Sequence, residues 1–358
     1  MKTTMAKTTL EIRKDDAELR SKVVSYLKNH RSTLEDLSEK FQMKPGEVRE
    51  YMNMLHKEDV NVTSMRSRGG TTLYHVSQLP AVCNVFNIEP DKVGVLSFGF
   101  ASDLHSSSKF YLQNSFHNVM DKLEGRGVSR VYIAGDILEG THVYNGQETL
   151  LQRHSVEDQT DFAADEFAKH PRLNFSGISG NHEIISAKHE KTNALAILQE
   201  KADNFKYLGD MIAKVVCDCV QFIMIHGNRA YASLYPSHAI LKDYFYGLTK
   251  KEMARNAPDL MLLGHFHTLY QGIDRGVLVL QPGSFLVNSN ERRDERLHTT
   301  AVGAWHVEIE YSNPTTRNPQ INRVQTTYIR PDPAATAKDM QISFAESAIG
   351  SGNLPAVN

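Results

Sequence analysis

Residues 15 to about 80 repeat apolar positions at helical spacing. In "DDAELRSKVVSYLKNH", Leu19, Val23, Tyr26 and Leu27 share one face. "STLEDLSEKF" offers Ser32 and Thr33 as N-caps and turns Leu34, Leu37 and Phe41 inward. "PGEVREYMNMLHKED" starts on Pro45, which suits a first helical turn, and repeats Val48, Met52 and Leu55. Two alternating segments, "VNVTSM" and "TTLYHVS", flank "RSRGG" and predict a hairpin. Beyond Pro90 the pattern changes to short apolar runs, each followed by a glycine or polar cluster and then a helical segment. That is the pattern of strands meeting loops at one edge of a helix-flanked sheet, an α+β or α/β arrangement. The divisions expected are an arm over 1–14, a small helical domain with a hairpin over 15–80, a linker over 81–91, a larger domain over 92–330 and a tail over 331–358. The tail is rich in small residues and is expected to fray or to pack as a short arm.

Composition narrows the function classes. With 358 residues, 41% of them hydrophobic, the chain can bury a sizeable core. A net charge of −2 excludes a chain-wide polycation and leaves room only for local basic surfaces. No apolar run approaches the roughly 18 residues of a membrane span, and the start lacks a signal-peptide centre, so a cytoplasmic protein without membrane contact is expected. Three cysteines, Cys83, Cys217 and Cys219, do not make a disulfide scaffold. Cys217 and Cys219 alternate in "KVVCDCVQFIMI" and are read as structural residues on one strand face.

Three helices followed by a hairpin resemble a winged helix-turn-helix. The resemblance implies that the third helix, carrying Lys44, Arg49 and Lys57, enters a DNA groove while the wing presents Arg66 and Arg68 to phosphates. Over residues 13–78, 12 lysines and arginines only just outnumber 10 acids, so a protein-binding role stays open beside the nucleic-acid one.

The ends of the later apolar runs carry the chemistry. "VGVLSFGFASDLH" ends in Asp103 and His105, "VSRVYIAGDILEG" in Asp136, "LNFSGISGNHE" in Asn181, His182 and Glu183, "VQFIMIHGN" in His226, and "LMLLGHFHT" in His265 and His267. A lone histidine pair such as His265 and His267 fits core packing as well as metal binding; in an extended segment both would face one side, with Phe266 on the other. Five such endings in order are a different matter. Burying so many imidazoles and carboxylates without a cation would cost heavily in desolvation.

These motifs, D-x-H, G-D, G-N-H-[DE], a strand-end His and G-H-x-H, resemble those of the calcineurin-like metallophosphoesterases over residues 91 to 310. The resemblance implies a four-layer β-sandwich flanked by helices with a two-metal site at one end. Asp103, His105, Asp136 and His267 would hold one ion and Asp136, Asn181, His226 and His265 the other, with Asp136 between them. Two divalent ions, manganese first and iron, zinc or magnesium as alternatives, would generate a hydroxide that attacks phosphorus. His182 would assist the leaving group, and Glu183 would orient it or support the loop. Glu139 stands where many relatives have Asp or His, which affects substrate contact more than metal binding. Gly264 is read as giving the backbone room beside the ions.

The substrate is less legible. "GDILEGTHVYNGQE" resembles a loop in the small subunit of archaeal family D DNA polymerases, and Mre11-type nucleases belong to the same superfamily. Both act at DNA ends, so the expectation is an exonuclease or end-processing nuclease, with His142, Tyr144, Gln147, Arg153 and His154 where substrate is met. DNA is the expected partner, with a homodimer or a replication or repair protein as further candidates. Two other classes remain. One is a nucleotide phosphomonoesterase or cyclic-nucleotide phosphodiesterase, capped by the segment from Arg229 to Ala257 with Arg229, Tyr231 and Tyr235 closing on the base. The other is a non-catalytic accessory subunit.

Overall fold

The computed structural model describes residues 19–27, 32–57, 62–66, 72–76, 84–90, 92–227, 258–287, 301–312 and 320–341. These residues fall in two compact units, one before Cys83 and one after it. The arm over 1–14, Arg68 and the segment with Arg229, Tyr231 and Tyr235 lie outside them.

The first unit holds helix α1 (19–27), strand β1 (Ser32–Thr33), helices α2 (Leu34–Phe41) and α3 (Pro45–Lys57), and strands β2 (Val62–Arg66) and β3 (Thr72–Val76). Thr33 is the N-cap of α2. Its hydroxyl accepts the Asp36 N–H at 3.0 Å and its own N–H donates to the Asp36 carboxylate at 2.9 Å, a reciprocal box that satisfies two orphan donors. The inward faces meet as read, with Val23, Leu27, Leu34, Leu37, Val48, Met52 and Leu55 buried together. Strands β2 and β3 pair antiparallel, and β1 joins β3 to complete a three-stranded sheet. Two residues are too few to show an alternation, which is why β1 has no signature in the sequence.

The second unit opens with β4 (Asn84–Ile88), β5 (Val95–Ala101), α4 (Gln113–Gly125), β6 (Arg130–Ile133), α5 (Val156–Ala168), β7 (Asn174–Ser179), α6 (Asn181–Glu190), α7 (Ala194–Lys201) and β8 (Phe205–Asp210). It continues through β9 (Ile212–Cys217), β10 (Val220–His226), β11 (Leu260–Gly264), β12 (Leu269–Asp274), β13 (Val277–Pro282), β14 (Ala304–Ser312), β15 (Gln320–Ile329) and α8 (333–341). Two six-stranded mixed sheets result, ordered β12-β13-β11-β10-β9-β4 and β15-β14-β5-β6-β7-β8. Phe98 and Phe222 stack at 4.9 Å between centroids across the interface of the sheets, with Tyr132 edge-on to both. A second core, including Phe116, Phe167 and Phe175, lies where α4, α5 and α7 cover the second sheet. Two mixed sheets with flanking helices agree with the expected metallophosphoesterase sandwich. None of the helices described is long and apolar enough to cross a membrane.

Two expectations change. Residues 84–88 are not linker: they form β4, an edge strand parallel to β9, because Phe86 and Ile88 alternate and pack on the inter-sheet core. Cys219 lies in the turn after β9, so it does not share a strand face with the buried Cys217. The described part of the tail takes the second of its two expected forms and packs as an arm: α8 brings Asp339, 3% exposed, onto the start of α4. Leu112, the N-cap residue of α4, offers no side-chain cap. Asp339 replaces it, accepting from Asn114 N at 2.8 Å, Ser115 N at 2.9 Å and Ser115 Oγ at 2.6 Å. Asp339→Ala is expected to cost about 1–3 kcal/mol, the range for a lost cap and its charge-assisted hydrogen bonds, read as a lower denaturation midpoint. Asp339→Asn should lose less.

Candidate metal centre

Parallel strands send their C-terminal ends to one edge, and the candidate ligands leave from there. Asp103 and His105 follow β5, Asp136 follows β6, Asn181 opens α6 after β7, His226 ends β10, and His265 and His267 follow β11. The backbone turns sharply at these positions. Asp103, His105, Asp136, His265 and His267 all have left-handed φ, between 49° and 89°. Such a conformation costs an ordinary residue on the order of 1–2 kcal/mol, so its recurrence at five converging polar side chains marks a site held against local preference. Cross-loop hydrogen bonds hold it: Asp103 N to Gly135 O at 3.1 Å, His105 N to Asp136 O at 2.9 Å and Ser106 N to Ile137 O at 2.9 Å.

Among the described residues three groups of side chains gather ligand-type atoms within 4.8 Å of one another: Asp103, His105 and His267; Asp136, His226 and His265; and, sharing His105 with the first, His105, Glu139 and His182. Asp136 Oδ2 lies 3.2 Å from His226 Nε2 and 3.9 Å from His105 Nε2, between the first two groups. Asn181 Oδ1 lies 2.9 Å from His226 Nε2, on the side of the second group. Phe266 is buried, as read. His265 and His267 do go to different groups, but not from a strand: β11 stops at Gly264 and both histidines sit in a turn.

The donor set fits a divalent cation. His105 Nε2 and His267 Nε2 face each other at 3.1 Å, and two imidazole lone pairs that close repel unless a proton or cation lies between them. Supports are placed on the far nitrogens: His226 Nδ1 is 2.7 Å from Ala134 O, and His105 Nδ1 is 3.0 Å from Glu139 Oε2. Asp103 also accepts the His265 N–H at 3.0 Å through both carboxylate oxygens. Burial, reinforced by Asp136, pushes Asp103 up to about 7 against the opposing pull of His226. Burial would also raise Asp136, but His226 and His182 outweigh it and hold that carboxyl well below the usual range. In return Asp136 overcomes the burial of His226 and lifts it to about 9. Carboxylate, imidazole and amide donors suit borderline divalent ions.

His182 stands in the first turn of α6 with Nδ1 2.6 Å from the Glu139 carbonyl and Nε2 4.0 Å from Asp136 Oδ2, at the rim of the cluster. Glu183 does not reach that ring. Its carboxylate accepts Gly180 N at 2.7 Å and Leu138 N at 2.9 Å, tying the β6 loop to α6, and burial followed by Asp136 raises it to about 7.

The remaining residues divide. His142 is exposed, 3.5 Å from Glu190 and beside His189, and His154 is exposed. Arg153 lies over the Phe162 ring at 4.6 Å. Tyr144 donates to Glu139 Oε1 at 2.9 Å. Gln147 is turned inward, 1% exposed, with its amide bonded to Glu139 O and Val143 N, so it holds the loop and does not face substrate. In the first unit Lys44 and Arg49 are exposed beside Glu47 and Glu50, a mixed surface. Lys57 ends α3 and Arg66 ends β2.

Two positioning residues, Gln159 and Ser284, were missed in the sequence. Gln159, buried on α5, accepts Gly140 N at 2.9 Å and donates to Gly140 O at 3.0 Å; Ser284 Oγ donates to Asp103 O at 2.8 Å. Polar residues at the close of "VLVLQPGSF" were the available signal for Ser284. The reading of Gly264 is refined. A Cβ there would lie 2.1 Å from Ala134 O, 2.3 Å from Ser102 Oγ and 3.0 Å from His226 Nδ1, so the glycine chiefly permits a close backbone approach and also leaves room for the His226 ring.

Residues 96–302 match the calcineurin-like phosphoesterase superfamily domain, and the chain belongs to that superfamily of metal-dependent phosphoesterases. Among curated proteins it is similar to the DNA polymerase II small subunit of Archaeoglobus fulgidus, 24% identical over 271 residues, covering 63% of this chain and 49% of the relative. The chain thus spans about half the length of that relative. Among solved structures it is similar to a novel archaeal phosphodiesterase (17% identity, TM-score 0.36, 65% of this chain and 100% of the other). It is likewise similar to the phosphoesterase Yfce from E. coli (14% identity, TM-score 0.34, 66% of this chain and 100% of the other).

A Cβ added at Gly180 would lie 2.1 Å from Asp136 Oδ1. Gly180→Ala is therefore expected to displace that carboxylate and weaken divalent-metal uptake by roughly tenfold or more, as disturbance of a ligand's support does. Titration calorimetry on folded protein, checked by circular dichroism, reads the effect.

Proposed function

We propose that this chain is a metal-dependent phosphodiesterase acting on DNA, as an exonuclease or end-processing nuclease. Asp103, His105 and His267 hold one divalent ion and Asn181, His226 and His265 a second, with Asp136 shared between them. Manganese is the first choice. Such ions supply positive charge that polarises the phosphoryl group and acidifies the attacking water. The chain's own part is orientation and proton transfer. His182, with Nδ1 held by the Glu139 carbonyl, has Nε2 left to carry a proton to the leaving oxygen, which would otherwise depart as a poor alkoxide.

The observation that carries the reaction class is the convergence of seven ligand-type side chains from five strand ends. DNA is supported by the similarity to a DNA polymerase small subunit and by the three-helix, three-stranded unit ahead of the phosphoesterase domain, read as a winged helix-turn-helix with Lys44, Arg49, Lys57, Arg66 and Arg68 on its DNA side. The relative's being a subunit also supports a protein partner in replication or repair.

Bis(p-nitrophenyl) phosphate, a matching monoester and end-labelled single- and double-stranded DNA, each with Mn²⁺ or EDTA, test the proposal. DNA degradation is expected with Mn²⁺ and is lost in EDTA. His182→Ala should lower kcat by about 10²–10⁴ with little change in metal uptake, whereas Asp136→Ala should lose uptake as well. Hydrolysis of the monoester alone, with DNA untouched, overturns the DNA reading, and silence on all four substrates overturns the enzyme.

A further inference from the structure

Glu139 is fully buried, and its carboxylate and backbone lie against groups that matter to the metal centre. Oε2 lies 3.0 Å from His105 Nδ1, a charge contact and not an aligned hydrogen bond. Oε1 accepts the Tyr144 hydroxyl at 2.9 Å and lies 3.4 Å from Gln147 Nε2. The backbone carbonyl is 2.6 Å from His182 Nδ1 and accepts Gln147 Nε2 at 2.9 Å, and the Glu139 N–H donates to Ser106 O at 2.9 Å. One residue thus touches the first-motif histidine, the third-motif histidine and the loop that leads into the 3₁₀ turn Gln147–Leu150.

We propose that Glu139 and Tyr144 form a positioning relay for His105, through which the 140–150 loop sets how well the Asp103–His105–His267 group holds its divalent ion. The relay deepens the metallophosphoesterase reading and rests on it. The physical argument has three steps. A carboxylate oxygen 3.0 Å from Nδ1 favours the proton on that nitrogen and leaves the Nε2 lone pair facing His267, so the contact selects the ligating tautomer. A carboxylate that pivots about its own side chain cannot fix a ring; the Tyr144 hydroxyl on the other oxygen stops that pivot. Tyr144 is only half-buried, at the outer end of this chain of contacts, and belongs to the same loop as the exposed His142. Anything bound over the loop therefore reaches His105 through Tyr144 and Glu139. Tyr144 is then a positioning residue and not a direct substrate contact.

The test uses full-length protein, Mn²⁺ as the probe, and the variants Glu139→Gln and Tyr144→Phe. Mn²⁺ binding by calorimetry and electron paramagnetic resonance gives affinity and stoichiometry without any substrate. Long-range ¹H–¹⁵N spectra of histidine-labelled, metal-free protein, with His105 assigned by His105→Asn, give the tautomer. In Glu139→Gln the affinity for one ion equivalent is expected to fall about 10- to 100-fold while the other is kept, and His105 should lose its Nδ1–H preference. Tyr144→Phe should shift the same equivalent in the same direction by a smaller factor. Activity on bis(p-nitrophenyl) phosphate should recover at saturating Mn²⁺ in both variants. Unchanged Mn²⁺ affinity and tautomer in Glu139→Gln overturn the relay, as does a Tyr144→Phe variant that loses DNA turnover but binds Mn²⁺ like the parent. Complete loss of one equivalent in Glu139→Gln, not restored by Mn²⁺, makes Glu139 a ligand and also overturns it. An inactive parent that still shows the affinity and tautomer changes would overturn the phosphodiesterase reading and leave the relay standing.

Discussion

Two carboxylates, Asp103 and Asp136, lie almost without solvent at the same end of one sandwich, and the rest of the centre is arranged around compensating them. Neither can ionise freely beside the other in such a place. The imidazoles of His226 and His182 favour the charged form of Asp136, while burial and Asp136 itself push Asp103 the other way. The stress passes outward into the backbone. Left-handed turns aim the side chains, and Gly135, Gly180 and Gly264 have no side chain because each is pressed against a neighbour: the His226 ring, the Asp136 carboxylate and the Ala134 carbonyl. The two sheets supply the rigidity that such strain requires, through a core of stacked aromatic rings immediately beneath.

Charge compensation and geometry are supplied by different residues. The ligand-type side chains bring charge and lone pairs, while Glu183, Gln159, Ser186 and Ser284 clamp the loops that carry them. Ser186 bridges Thr141 and the His182 carbonyl, so the loop after β6 is stitched along α6 for its first two turns. His182 and the loop after β6 are thereby parts of one body.

What the sequence revealed, and what it did not, follows from the range of the forces involved. Apolar periodicity is local, so the buried faces of α2 and α3 and the buried strands β5, β10 and β11 were legible from residues such as Leu37, Val48, Phe98 and Leu262. The ligand-type residues were legible because metal chemistry restricts residue type and strand ends restrict position. Strand β4 was hidden within a presumed linker, since an edge strand of five residues half exposed shows only Phe86 and Ile88 as its pattern. The role of Glu183 could not be read, because a carboxylate in the first turn of a helix can turn to a side chain or to backbone N–H groups, and only the packing of the β6 loop decides. Gln147 was read as facing outward for the same reason: its partners, Glu139 and Val143, are set by a loop conformation that has no periodicity.

The capping of α4 by Asp339 has a consequence in time. The cap lies 225 residues after the helix terminus it completes. At a synthesis rate of roughly 5–20 residues per second, α4 emerges about ten to forty-five seconds before its cap exists. β14, the partner that β5 needs on one side, is also a late arrival. During that interval the strand ends bearing Asp103 and Asp136 are present without the elements that close the sheet beside them. The first helix behind the strand that bears Asp103 is thus completed only by residues made near the close of synthesis.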